Sequence, residues 1–175
     1  MGVTMSVEEN SNLSIKNWLA ILVLAISTFI IVTTELAPVG LLTPMAKDFG
    51  VSESQIGVTV TIYAWVGAFS AILASVFLGN IAKKTLLIVL ITILLASNTL
   101  SATVTTYSML LVARVIGALA HGSFWAIIGA TAVAIVPPKH IGVATSILFG
   151  GVSAASVFGV PLSNYIGIAL SLIHI

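Results

Sequence analysis

Five long windows of the chain, residues 17–34, 54–82, 85–113, 115–138 and 140–175, contain no Asp, Glu, Lys or Arg. Each matches or exceeds the roughly 18–20 apolar residues that carry a helix across about 30 Å of hydrocarbon. The pattern predicts spans at 18–42, 55–78, 85–104, 108–136 and 142–167. The connections hold breakers or charge: Pro44, Lys47, Asp48 and Glu53 in 43–54, Gly79, Lys83 and Lys84 in 79–84, and Pro137, Pro138, Lys139 and His140 in 137–141. Residues 1–17, with Glu8, Glu9 and Asn10, are expected to form a polar cytoplasmic lead-in, and 171–175 an aberrant or truncated end. The first span is no cleavable signal: its apolar run is too long, and Glu35, Pro38 and Pro44 follow it in place of a small-residue cleavage site.

Composition turns the pattern into a class. The 175 residues are 59% hydrophobic and 6% charged, with mean hydropathy +1.22, against about 25% charged in a soluble domain. Too few polar side chains exist to face water, so an all-α membrane bundle is expected. A net charge of +1 leaves no basic patch for nucleic acid. The lack of cysteine excludes a disulfide scaffold and thiolate chemistry. No GxxxxGK[ST], HExxH or GxSxG occurs, so no ATP site, metal centre, cofactor or catalytic residue is predicted, and an enzyme is not expected. With the N-terminus inside, the inner loops hold Lys16, Lys83, Lys84 and Lys139 and the outer ones only Lys47, which favours that orientation.

Polar residues inside the spans carry the candidate chemistry. Ionisable groups at membrane depth are costly, and they face cavities or partners. Glu35 stands near the end of the first span; it either lines a cavity, poised to take and release a proton, or reaches the outer headgroups. Arg114, the one arginine, lies about six residues inside the fourth span. At ~1.5 Å per residue the two sit at similar depth, so an ion pair between them is possible, as a register device or as a sensor of substrate or proton. His121 follows Arg114 by seven residues on the same helix face, and Trp125 continues the stripe. His121 is either a packing residue or a proton relay. Tyr63, Trp65, Asn98 and Trp125 are candidates to line a pathway, or else interhelical contacts or interfacial aromatics. Small residues at four-residue spacing suit close helix packing: Gly67, Ala71, Ser75 and Gly79; Ala118, Gly122, Ala126, Ala130 and Ala134; Gly151, Ala155 and Gly159. Pro161 is expected to bend the fifth span.

The stretch from Thr33 to Leu42 (TTELAPVGLL), with Gly57 and the Tyr63-Ala64-Trp65 triplet, resembles the start of bacterial sugar efflux transporters, in the drug:proton antiporter group of the major facilitator superfamily. The run from Ala113 to His121 with Phe124 and Trp125 is similar to the fourth-helix motif of that family and places its arginine at Arg114. Gly150, Gly159 and Pro161 fall in a segment that resembles the fifth-helix antiporter motif. The loop motif keeps its basic pair at Lys83-Lys84 but lacks its Asp, and Ser163-Asn164 stands where the antiporter motif favours glycine.

The resemblance implies proton-coupled export of sugars or related small solutes across a bacterial inner membrane, with Glu35, Arg114 and His121 in the coupling or substrate pathway. A multidrug exporter of the same superfamily fits the same motifs. From another class, an accessory membrane subunit would complete its bundle with a different protein; a major-facilitator second half encoded just downstream would argue against that. Such transporters have about twelve helices, with the site between two six-helix halves. Five spans therefore lead to the expectation of an N-terminal fragment that lacks its C-terminal half and is inactive alone. Purified 175-residue chain in liposomes is expected to show no solute flux, and measurable uptake or efflux would overturn this.

Overall fold

The computed structural model describes residues 14–169. The expected end at 171–175 and most of the expected lead-in lie outside the described residues. Helix α1 runs Ile15–Gly40, starting three residues before the hydrophobic pattern suggested. Ser14 explains the early start: its backbone is extended and its hydroxyl accepts the Lys16 N–H at 3.3 Å, as an N-cap should.

Helix α2 (Leu42–Asp48) occupies part of the segment expected to be a plain connection. It closes on Gly50, whose φ of +62° a side chain would resist. Helix α3 (Glu53–Phe77) opens with a capping box in which Ser52 and Gln55 bond each other's backbone N–H. Helix α4 covers Lys83–Thr103 and α5 covers Tyr107–Ile135, α5 being capped by Thr106. After a 3₁₀ turn at Pro138–His140 come α6 (Ile141–Ala154), a π turn (Ala155–Gly159) and α7 (Val160–Ala169). Among the described residues, five stretches are long and apolar enough to cross a membrane: α1, α3, α4, α5 and the composite Pro138–Gly167.

Helix α5 is the centre of the bundle. It packs most extensively on α3 and α4, while α1 lies against α6, the π turn and α7. Phe124, Ile128 and Ala132 of α5 join Ile21, Leu90, Leu94 and Leu148 in the main apolar core. Many large apolar side chains point outward, Phe69, Phe77 and Val157 among them, which is the surface lipid requires and water forbids.

Where α3 crosses α5 the contact is backbone on backbone. A Cβ on Gly122 would overlap the Gly67 carbonyl. One turn further, Ser70 Oγ lies 2.9 Å from Ser123 Oγ and donates to the Leu119 carbonyl at 2.6 Å. Between α1 and α6, a Cβ on Gly151 would overlap the Ala25 carbonyl, and the Thr28 hydroxyl, bonded to that carbonyl, also lies 3.1 Å from the Leu148 carbonyl. Hydrocarbon gives helices little reason to associate, so close approach and interhelical hydrogen bonds hold this bundle.

Of the expected small-residue seams, only some positions make the contacts. Gly67, Gly122, Ala155 and Gly159 are buried; Ser75 and Gly79 are exposed. Gly150, which falls in the segment resembling the antiporter motif, faces open space: a Cβ there would meet nothing within 4 Å. Its neighbour Gly151, expected in the seam with Ala155 and Gly159, makes the close approach to α1. Gly159 seats against Thr33 of α1. Pro161 follows a π turn: it cannot donate to the Val157 carbonyl, and the wider turn ends immediately before its helix begins.

Candidate functional site

The site begins with a proline. Pro38 lies within α1 and has no N–H to give the carbonyl of Thr34, four residues earlier. In hydrocarbon a freed carbonyl must find another donor. Arg114 of α5 supplies it: Nη1 donates to the Thr34 carbonyl at 3.3 Å and Nη2 to the Glu35 carbonyl at 3.1 Å. Arginine suits this because its planar fork presents several N–H groups in fixed directions.

The guanidinium is 4% exposed and lies over the ring of Tyr63 on α3, with Cζ 4.1 Å from the ring centroid. A desolvated cation on an aromatic face is favoured by about 2 kcal/mol. Tyr63 is itself 3% exposed and meets His121 edge to face, centroids 5.1 Å apart. His121 Nε2 lies 3.5 Å from Glu35 Oε2 and accepts the Trp125 indole N–H at 2.9 Å. Five of the side chains singled out in the sequence thus form one cluster from α1, α3 and α5, with Tyr63, Arg114 and His121 buried and Glu35 and Trp125 half-buried.

Two details depart from expectation. The possible ion pair between Glu35 and Arg114 is replaced: the carboxylate faces His121, and Arg114 grips the main chain of α1. His121 is therefore the nearest basic partner of Glu35. The physical reason is Pro38, which turns a backbone oxygen into the best acceptor within reach of the guanidinium. Asn98 does not join the cluster. It is half-buried on α4, while its neighbour Ser97 turns inward and donates to the Ala113 carbonyl at 2.7 Å. Trp65 points outward and stacks on Phe69.

Pro38 is the residue of this cluster that sequence reasoning passed over. The signal was present in the Thr34-Glu35-Leu36-Ala37-Pro38 spacing: a proline inside an apolar helix frees the carbonyl four positions before it.

Apolar side chains close one end of the cluster. Leu110 stands one turn before Arg114 on α5 and Ile56 two turns before Tyr63 on α3. Both are buried against Ala46 of α2, with Leu42, Met45 and Phe49 packed around them. Within the cluster, Arg114 Nε and His121 Nδ1 are buried and have no hydrogen-bond partner among the described residues. Also among the described residues, no three His, Cys, Asp or Glu side chains gather as a metal site.

A carboxylate beside an imidazole can hold or exchange a proton, a fixed guanidinium sets the local field, and spare N–H groups can bind an oxygen-bearing solute. Such groups inside a bundle of membrane-spanning helices suit transport. The family model described as Major Facilitator Superfamily matches residues 21–173, nearly the whole chain, which therefore belongs to that superfamily of secondary transporters.

Proposed function

We propose that the chain forms part of a bacterial inner-membrane exporter that moves sugars or related small solutes outward in exchange for protons. The observation that carries the reading is the junction of Glu35 with the buried His121 and Arg114. Glu35 is the proton-carrying group, since its side chain is a quarter exposed (26%) and its carboxylate faces an imidazole. Arg114 is the fixed charge that keeps α1 in register with α5. The spare N–H of Arg114 and the free ring nitrogen of His121 favour a hydroxyl-rich solute over an apolar one, because buried polar groups take hydrogen-bond partners. The rings of Tyr63 and Trp125 supply flat apolar faces beside them. The solute and the proton are the small partners, the bilayer is the solvent, and a second bundle would complete the enclosure of a midplane site.

Glu35→Gln separates binding from coupling. The amide retains the shape and loses the exchangeable charge. In vesicles bearing the transporter as the cell makes it, the variant is expected to keep solute-for-solute exchange and to lose flux driven by a proton gradient. Unchanged dependence of flux on the gradient would overturn the proposal.

A further inference from the structure

We propose that Trp125 is a positioning residue for this site: its indole N–H fixes which ring nitrogen of His121 carries the hydrogen, and so decides whether His121 donates to Glu35. The inference rests on the reading of Glu35, Arg114 and His121 as the coupling site.

One atom, His121 Nε2, has two suitors. The indole nitrogen is a donor only, and it lies 2.9 Å from His121 Nε2. A ring nitrogen has one in-plane position, filled either by a lone pair or by a hydrogen. While the indole donates, Nε2 is bare and the hydrogen of a neutral imidazole sits on Nδ1. Glu35 Oε2 lies 3.5 Å from the same Nε2. An ionised carboxylate is an acceptor only, so a bare Nε2 has nothing to give it. Donation from Trp125 and donation to Glu35 are mutually exclusive. A proton placed on Nε2 turns His121 towards Glu35 and releases the indole.

The indole is held from a different helix. Trp125 stacks on Phe149 of α6, centroids 6.4 Å apart and planes 17° apart. Leu148, the residue before Phe149, has its carbonyl 3.1 Å from the Thr28 hydroxyl of α1. A shift of α6 relative to α5 therefore pulls on the group that competes with Glu35 for Nε2. Around the imidazole stand Glu35 from α1, Tyr63 from α3 and Arg114 on α5 itself. From α6 the element in reach is the apolar Phe149 ring, behind Trp125.

The test is ¹⁵N spectroscopy of ring-labelled histidine in the 175-residue chain in lipid bilayers, which reads the hydrogen on each nitrogen directly. The chain has three histidines, and the His121 signals are those missing from His121→Gln. The unaltered chain is expected to show a bare Nε2 and a hydrogen on Nδ1. Trp125→Phe keeps the stack and removes the donor; it is expected to shift the ratio of the two tautomers about tenfold towards hydrogen on Nε2, which is what one hydrogen bond is worth. An Nε2 hydrogen in the unaltered chain, or an unchanged ratio in Trp125→Phe, would overturn the proposal. Should Trp125→Phe fail to insert, the unaltered spectrum alone still decides. Loss of the coupling role of Glu35 in the flux experiment leaves the tautomer result standing, so the two readings fail separately.

Discussion

Replacing Arg114 by alanine is expected to abolish solute-driven proton movement while leaving membrane insertion intact. Two carbonyls of α1 lose the donors that reach them at 3.3 and 3.1 Å. The Thr34 carbonyl has no helical substitute, because residue 38 is proline. A hydrogen bond to a charged group is worth about 1.5–3 kcal/mol, so the loss corresponds to roughly ten- to over a hundredfold in the population of the correctly joined helices. The Tyr63 ring also loses the cation above it. Arg114→Lys should fail as well, because an ammonium is a single point of charge and does not span two acceptors as a planar fork does. Proton release on adding solute to everted vesicles, with insertion checked by protease protection, is the measurement. Normal transport by Arg114→Ala would remove the arginine from the mechanism.

The second large effect is expected in stability. Gly122→Val pushes a branched side chain into the Gly67 carbonyl of α3. Neither backbone can yield without parting the two helices that make the widest contact in the bundle. Parting them stretches the bonds of Ser70 to the Leu119 carbonyl and to Ser123. The cost should reach about 3 kcal/mol, the upper end for overpacking, and appear as loss of the folded fraction after mild detergent extraction and heating. Gly57→Ala is the control: a Cβ there meets nothing within 4 Å, and alanine in a helix is favoured over glycine. If both variants behave alike, close α3–α5 packing is not what holds the bundle.

The spans were legible because lipid imposes a blunt rule: charge is excluded from long stretches, and its gaps mark the helices. Ser14 and Ser52 set the starts of α1 and α3 more finely than hydropathy does. Helix α2 was not legible, since seven residues that include Pro44, Lys47 and Asp48 carry no apolar period long enough to read. At the site, rarity singled out Glu35, Arg114 and His121, for few polar groups lie at depth. Rotation of each helix about its axis decided the rest. One residue turns the chain by about 100°, so Ser97 faces α5 where Asn98 was the candidate, and Gly151 meets α1 while the adjacent Gly150 faces open space. Which oxygen Arg114 takes depends on a backbone acceptor, and a pattern of side chains describes acceptors only where proline removes a donor.

If the proposed exchange for protons holds, the layer of Ala46, Ile56 and Leu110 has an electrical meaning. An exchanger must never offer protons a continuous file of water, or the gradient runs down with no cargo moved. These three side chains hold no oxygen or nitrogen that could hand a proton along, and they sit between the charged cluster and the α2 end of the bundle. Under the proposed exchange of solute for protons they would be the insulation of the device, and a conductive path through them would short-circuit the cell's stored voltage.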